Sequence, residues 1–209
     1  GFQQLALNWF QKYLYPEKKE FQEFQMPRLT AYVQEPSNIN DSYSSRDGRW
    51  VSKNEKAAKK YRKFVLTDKQ SLCEKPEEGS ADEIGVSFKG TLSHGMHRGN
   101  WCPFGMEGDF PSDQRYEDGK CCCFDSGVIQ QRMELLGEPV LQASVSSDKK
   151  LAHLCASLID IYPDGGEHIL ISWGNLNLTH RKSHEYPEYL TPGEVYDVKV
   201  PLDVVGTVI

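Results

Sequence analysis

Apolar side chains at Phe2, Leu5, Ala6, Trp9, Phe10, Tyr13 and Leu14 recur at the i, i+3, i+4 spacing of one helix face, and Pro16 ends the run. The pattern predicts an amphipathic helix that begins without a Ser, Thr, Asp or Asn cap. A charged spacer, Glu17 to Gln25, follows, and after Pro27 the period changes to two. From Arg28 to Gln34, Leu29, Ala31 and Val33 alternate with Arg28, Thr30 and Tyr32, which predicts a half-buried strand. Similar runs predict strands at Tyr61 to Thr67, Glu83 to Gly90, Lys120 to Asp125, Val140 to Ser146, Leu151 to Tyr162, His168 to Gly174 and Val195 to Leu202. Asp164-Gly165-Gly166 predicts a hairpin turn between two of them. Glu35 to Gly48 and Asp68 to Asp82 read as loops, and Lys53 to Lys60 as a short helix or charged loop. Thr91 to Gly119 is a long glycine-rich segment without periodicity, a feature that inside a compact domain is usually functional or interfacial. About eight strands with one long helix at the edge predict an all-β, antiparallel β-sandwich.

Composition narrows the function classes. The 209 residues hold 24 Lys+Arg and 30 Asp+Glu, so 24 − 30 gives −6, and no excess of cations is available to displace counterions from a nucleic acid. No window holds the roughly 18 consecutive apolar residues of a membrane helix. The six cysteines are Cys73, Cys102, Cys121, Cys122, Cys123 and Cys155. Three are consecutive, and consecutive residues of a strand face opposite ways, so they cannot all join one disulfide or one metal. We expect free thiols packed as small hydrophobes in a reducing, cytoplasmic setting. The uncapped helix at one end and the apolar Val204-Val205-Gly206-Thr207-Val208-Ile209 at the other make the chain read as a piece of something longer.

Candidate chemistry is sparse. A serine hydrolase of the α/β type needs its nucleophile on a G-x-S-x-G elbow, and the sequence has neither that motif nor strand–helix alternation. His180 and His184 have H-x3-H spacing and His94 and His97 have H-x2-H, but no C-x2-C pair accompanies either, so no metal or cofactor is expected. His180 and His184 read as turn residues bonding to neighbours such as Glu185 and Glu188. Cys102 and Cys155 have no evident base, and buried, inert thiols are the default. Sugar stacking on Trp50, Trp101, Trp173, Tyr162, Tyr186 or Tyr189 is the rival to an enzyme-associated role. Trp173 ends an apolar run and reads as core, whereas Trp101 sits in the glycine-rich loop.

Several spaced motifs then converge. Trp101-Cys-Pro-Phe-Gly105, Gly108-Asp-Phe-Pro-Ser-Asp-Gln-Arg115, Cys123-Phe-Asp-Ser126, Glu134-x-x-Gly137-x-Pro139, Ser147-Asp148 and Asp160-x-x-Pro163-Asp164-Gly165 come in this order. Gly174-x-Leu176-Asn177, His180-Arg181-x-Ser183-His184 and Leu190-x-Pro192-Gly193 follow. Over roughly residues 85–203 this series resembles the C-terminal domain of the cocaine esterase / X-Pro dipeptidyl-peptidase family of α/β-hydrolases. Leu7-x-Trp9-Phe10-x-x-Tyr13-Leu14 resembles the last helix of that family's catalytic domain.

The resemblance implies a jelly-roll, galactose-binding-like β-sandwich that packs on an α/β-hydrolase domain bearing a Ser-Asp-His triad. The triad would lie upstream, so no residue here inherits a catalytic role. The resemblance implies that 1–16 is the terminal helix of the hydrolase domain, 17–27 a linker and 28–209 a C-terminally truncated sandwich. It brings Thr91 to Asp109 toward the catalytic mouth, with Trp101 and Phe104 on the rim of the substrate pocket. Family members run on past Val204-Val205, which leaves a sheet edge open or filled by a second copy of the chain. The expected function is thus a non-catalytic domain of an esterase or dipeptidyl-peptidase-like serine hydrolase, with no nucleic-acid or membrane partner. The alternative is a free-standing carbohydrate- or ligand-binding jelly roll.

Overall fold

The computed structural model describes residues 2–25, 27–53, 61–67, 69–74, 85–100, 104 and 106–209. Two compact units emerge, Gly1–Tyr32 with Arg49–Tyr61, and Val33–Gly48 with Arg62–Ile209.

The first unit begins with the expected helix, α1 (Phe2–Leu14), followed after Pro16 by the short α2 (Lys19–Gln22). Lys12 Nζ donates to the Phe24 carbonyl at 2.7 Å, and Gln22 Nε2 donates to the Lys12 carbonyl at 2.9 Å, fixing the turn between them. Trp9 packs its ring against Phe10 and Tyr13 at 5.2 and 4.8 Å, yet no residue of α1 is buried. Strands β1 (Leu29–Gln34) and β2 (Gly48–Lys53) are sheet neighbours, with Thr30 Oγ1 3.2 Å from Ser52 Oγ and Tyr32 edge-on to Trp50.

The larger unit carries the remaining strands. These are β3 (Val65–Leu66), β4 (Leu72–Cys73), β5 (Glu134–Gly137), β6 (Val140–Val145), β7 (His153–Ile161), β8 (His168–Asn177), β9 (Tyr196–Pro201) and β10 (Val205–Val208). The short helix α3 (Arg115–Asp118) precedes β5, and a 3-10 turn, Leu178–His180, follows β8. β7 and β8 pair antiparallel across the expected hairpin, where Asp164 and Gly165 both take positive φ. The register slips between Leu158 and Ile159, a bulge of the kind that bends long strands. β6 pairs antiparallel with β9 from Val140↔Pro201 to Val145↔Tyr196. β10 pairs antiparallel with β5 on one side, and on the other Thr207 meets Gln34, at the end of β1, in parallel.

Alternation explains the core. In β9, Val198 and Val200 turn inward while Asp197 and Lys199 face out. Leu178, Leu190 and Val198 form a buried cluster, packed by Val145, Ala152, Leu154, Leu176 and Tyr196. The Ser172 hydroxyl donates to the Asp203 carbonyl at 2.6 Å, joining β8 to the chain that leaves β9. Gly174 in β8 permits that approach: a Cβ there would stand 2.1 Å from the Pro201 carbonyl oxygen.

The all-β class expected from the sequence is what the strands form, with several local corrections. The strand expected over Tyr61 to Thr67 shrinks to Val65–Leu66, and Lys120 to Asp125 is irregular, with a lone bridge from Asp125 to Ser71. Residues 85–90 of the strand expected over Glu83 to Gly90 are irregular, and its first two residues lie outside the described ones, as does 54–60. The strands β2, β4, β5 and β10 were not foreseen. Cys121 and Cys155 are exposed, not packed as core hydrophobes, although every described cysteine is a free thiol.

A methyl at Gly174 would collide with backbone rather than with a side chain that can swing away. Gly174→Ala is expected to cost about 1–3 kcal/mol, seen as a lower urea midpoint, because overpacking forces backbone shifts. Val195→Ala, at an exposed position, should leave the midpoint unchanged.

Candidate functional site

The described residues of the glycine-rich segment 91–119 form no helix or strand before α3, and three buried polar side chains hold them. Glu117, in α3, is 3% exposed. Its Oε2 accepts from the Gly95 N–H at 2.7 Å and its Oε1 from the His97 N–H at 3.1 Å, while the His97 ring meets Oε1 through Nδ1 at 2.7 Å. Lys120 Nζ adds a contact at 3.5 Å. His94 Nδ1 lies 3.1 Å from Oε2 without hydrogen-bond geometry, and its Nε2 takes a 2.8 Å bond from Arg98 Nη2, which identifies the ring as neutral. His97 stacks on Tyr116 at 4.9 Å.

Gln114 is 1% exposed, and its Nε2 donates to the carbonyls of His97 and Ser112 at 2.7 and 2.6 Å. Asp109 secures the tip. Its Oδ1 accepts from Asn100 Nδ2 at 2.6 Å, and its Oδ2 from the backbone N–H of Phe104 and Met106 at 2.7 and 2.9 Å. The two arms touch where Asn100 N–H donates to the Asp109 carbonyl, because Gly99 takes φ +73 and any Cβ there would lie 2.5 Å from that oxygen. The tip this frame presents is apolar: Phe104 is 87% exposed and Met106 67%.

Electrostatics follow the geometry. Burial would raise the Glu117 carboxyl, but hydrogen bonds from the Gly95 N–H, the His97 ring and the His97 N–H, with Lys120 nearby, bring it down to about 2. The His94 ring is pushed below its usual value by burial and then by Arg98. Asp113 is lowered by Arg115, which it binds as a salt bridge.

Of the two rim residues expected from the sequence, Phe104 stands on the exposed tip, and Trp101 lies outside the described residues. His94 and His97 do come together, both facing the Glu117 carboxylate. His180 and His184 face one another, Nδ1 to Nδ1 at 3.2 Å, while Glu188 pairs instead with Lys182 and Arg181. Trp173, expected in the core, is half-buried beneath the Arg98 guanidinium. Among the candidate stacking rings, Trp50, Tyr186 and Tyr189 are exposed. Tyr162 lines a cavity of about 230 Å³ with Tyr43, Arg46 and Asp160, and burial raises the Asp160 carboxyl. One group of ligand-type side chains exists among the described residues, Asp118 with Cys121 and Cys123. The sequence reading missed Glu117, Gln114 and Asp109 as the frame of the loop.

No helix among the described residues is long and apolar enough to cross a membrane. A family model described as the X-Pro dipeptidyl-peptidase C-terminal non-catalytic domain matches residues 26–209. Cocaine esterase from Rhodococcus sp. (strain MB1 Bresler) is 27% identical over 94 residues, 44% of this chain and 16% of that protein. An aminopeptidase from a marine sediment Thaumarchaeota archaeon superposes with a TM-score of 0.63 at 14% identity, over 97% of this chain and 33% of its own. An α-amino acid ester hydrolase gives 0.58 at 17% identity, over 77% and 30%. A CocE/NonD family hydrolase from Staphylococcus aureus gives 0.57 at 16%, over 97% and 35%. The chain thus spans 16% of the curated relative and about a third of each solved structure, and these structural likenesses establish the fold.

The depressed Glu117 carboxyl fixes a sign. Its contribution to stability is complete above its ordinary value of 4.5 and is lost as pH falls toward about 2. The loss should be on the order of 1–3 kcal/mol once solvent screening is allowed for, measured by urea unfolding across that window. Glu117→Gln should be less stable at pH 7 and should lack that acid limb.

Proposed function

The chain belongs to the family of X-Pro dipeptidyl-peptidase C-terminal non-catalytic domains, and from that premise we propose that it serves a serine hydrolase of ester or peptide bonds by packing on the α/β-hydrolase domain and narrowing access to its active site. In this reading residues 1–16 form the terminal helix of the hydrolase domain, 17–27 a linker and 28–209 the sandwich. The nucleophile, base and acid belong to the hydrolase domain, which forms and hydrolyses the acyl-enzyme.

The observation that carries the reading is the hydrogen-bonded bracing of the described part of segment 91–119, which leaves the apolar Phe104 and Met106 exposed. Buried Glu117, Gln114 and Asp109 hold it by hydrogen bonds while Phe104 and Met106 remain uncovered. Such order is useful when the tip must meet a partner in one geometry. The apolar face of α1 supports the same view. Trp9, Phe10, Tyr13 and Leu14 are each at least two-fifths exposed, and covering such side chains is worth roughly 1.5–3 kcal/mol apiece.

Two measurements test this. The 209-residue chain alone should neither hydrolyse p-nitrophenyl esters nor be labelled by a serine-directed phosphonate, and stoichiometric labelling would refute the assignment. In the protein that joins this chain to its hydrolase domain, Phe104→Ala should lower kcat/KM severalfold, mainly through KM, with unfolding unchanged. A Trp9→Glu, Phe10→Glu double variant should lower the Tm of the joined protein by several degrees. In the chain alone it should hardly matter, because these side chains are exposed there. Equal effects in both would show that the helix has no such partner.

A further inference from the structure

Beyond the loop and the helix, one cluster lies unused. Asp118 closes α3, and after Gly119 and Lys120 the chain runs through Cys121, Cys122 and Cys123, the pattern D-x-x-C-x-C. The irregular chain brings the Cys121 and Cys123 sulfurs side by side, while Cys122 does not belong to the group. Their sulfurs are 3.8 Å apart, and one carboxylate oxygen of Asp118 and both sulfurs all lie within 4.8 Å of one another. A tetrahedral ion about 2.3 Å from each of two thiolates would hold them about 3.8 Å apart. The spacing therefore suits a shared ion without rearrangement, whereas a disulfide would require closing the gap to about 2.05 Å.

The surroundings point the same way. Asp118 is held in place by His168, whose Nδ1 meets Oδ2 at 2.6 Å, and the His168 carbonyl in turn accepts from the Gln114 N–H at 3.0 Å. A carboxylate steadied by a histidine on a neighbouring strand resembles the outer support that metal ligands generally have. Cys121 Sγ lies 3.5 Å from the Glu117 carbonyl oxygen and 3.6 Å from that of Asp118, and Cys123 Sγ lies 3.5 Å from the Asp118 carbonyl oxygen, so both sulfurs turn back toward the end of α3. Two sulfurs and one oxygen select a thiophilic d10 ion over magnesium or calcium, which prefer all-oxygen sites.

We propose that Asp118, Cys121 and Cys123 bind a thiophilic divalent cation of the zinc class, with a fourth position open to water. On binding, each thiol loses its proton to solvent, two sulfur–metal bonds and one oxygen–metal bond form, and no electron is transferred. The ion would clip the end of α3 to the segment that follows it, and through His168 to β8.

The test uses the reduced 209-residue chain and Cd²⁺ as probe. One ion per chain should bind, with thiolate-to-cadmium charge-transfer absorption and release of two protons. Cys121→Ser and Cys123→Ser should each weaken binding roughly tenfold or more and diminish the band, and Asp118→Asn should weaken it while keeping the band. Cys73→Ser, Cys102→Ser and Cys155→Ser should change nothing, and unfolding curves should confirm that every variant is folded. Excess Zn²⁺ should compete with Cd²⁺ for the same single site and diminish the band. A band that survives Cys123→Ser, absence of a band, or closure of Cys121 and Cys123 into a disulfide in preference to binding under thiol-buffered conditions would overturn the site.

Discussion

A carboxylate taken out of water must be repaid with hydrogen bonds, and Glu117 meets that demand with donors drawn from 95–97 and from Lys120. This requirement fixes residues 95–97 against α3. Were the loop to drift, a charge would be stranded beside α3, so the backbone of Gly95 and His97 stays where the carboxylate needs it. Gln114 repeats the logic with neutral partners, and Asp109 repeats it at the tip. Order here comes from polar satisfaction. In the sandwich it comes from apolar burial around Leu178, Leu190 and Val198.

The two kinds of order were unequally legible. β6 and β9 alternate strictly and β7 alternates up to its bulge at Leu158/Ile159, and the expected spans agree with the observed ones to within one or two residues. β8 runs three residues past Gly174, which reads as a strand end but sits where only hydrogen fits against Pro201. β5 and β10 escaped because each is four residues long and carries a glycine, and because their partners are remote in sequence. The cysteine run misled in the other direction. Its apolar character suggests a strand, but Cys121 and Cys123 bond back to carbonyls of α3 instead of joining a ladder.

The site was legible only as a region. Length, glycine content and the absence of periodicity marked 91–119, where Phe104, expected on a pocket rim with Trp101, is exposed. The frame was not visible, since the donors to Asp109 and Glu117 are mostly backbone N–H groups, which every residue has and no motif displays. Asp109 and Gln114 do lie within the motif Gly108 to Arg115, so that motif records the bracing of a loop rather than a reaction. Glu117 lies just outside it.

The parallel contact between Gln34 and Thr207 places the first residues of the larger unit, at the end of β1, beside its strand β10. Almost the whole unit intervenes, so this contact carries a heavy loop-closure entropy and belongs to the slow class of pairings. During synthesis, β5 and the end of β1 must wait with open edges until residues 205–208 leave the ribosome. The hairpin β7–β8 and the β6–β9 pair can form earlier, which makes unfinished chains, rather than the mature fold, the stage most exposed to edge-to-edge aggregation.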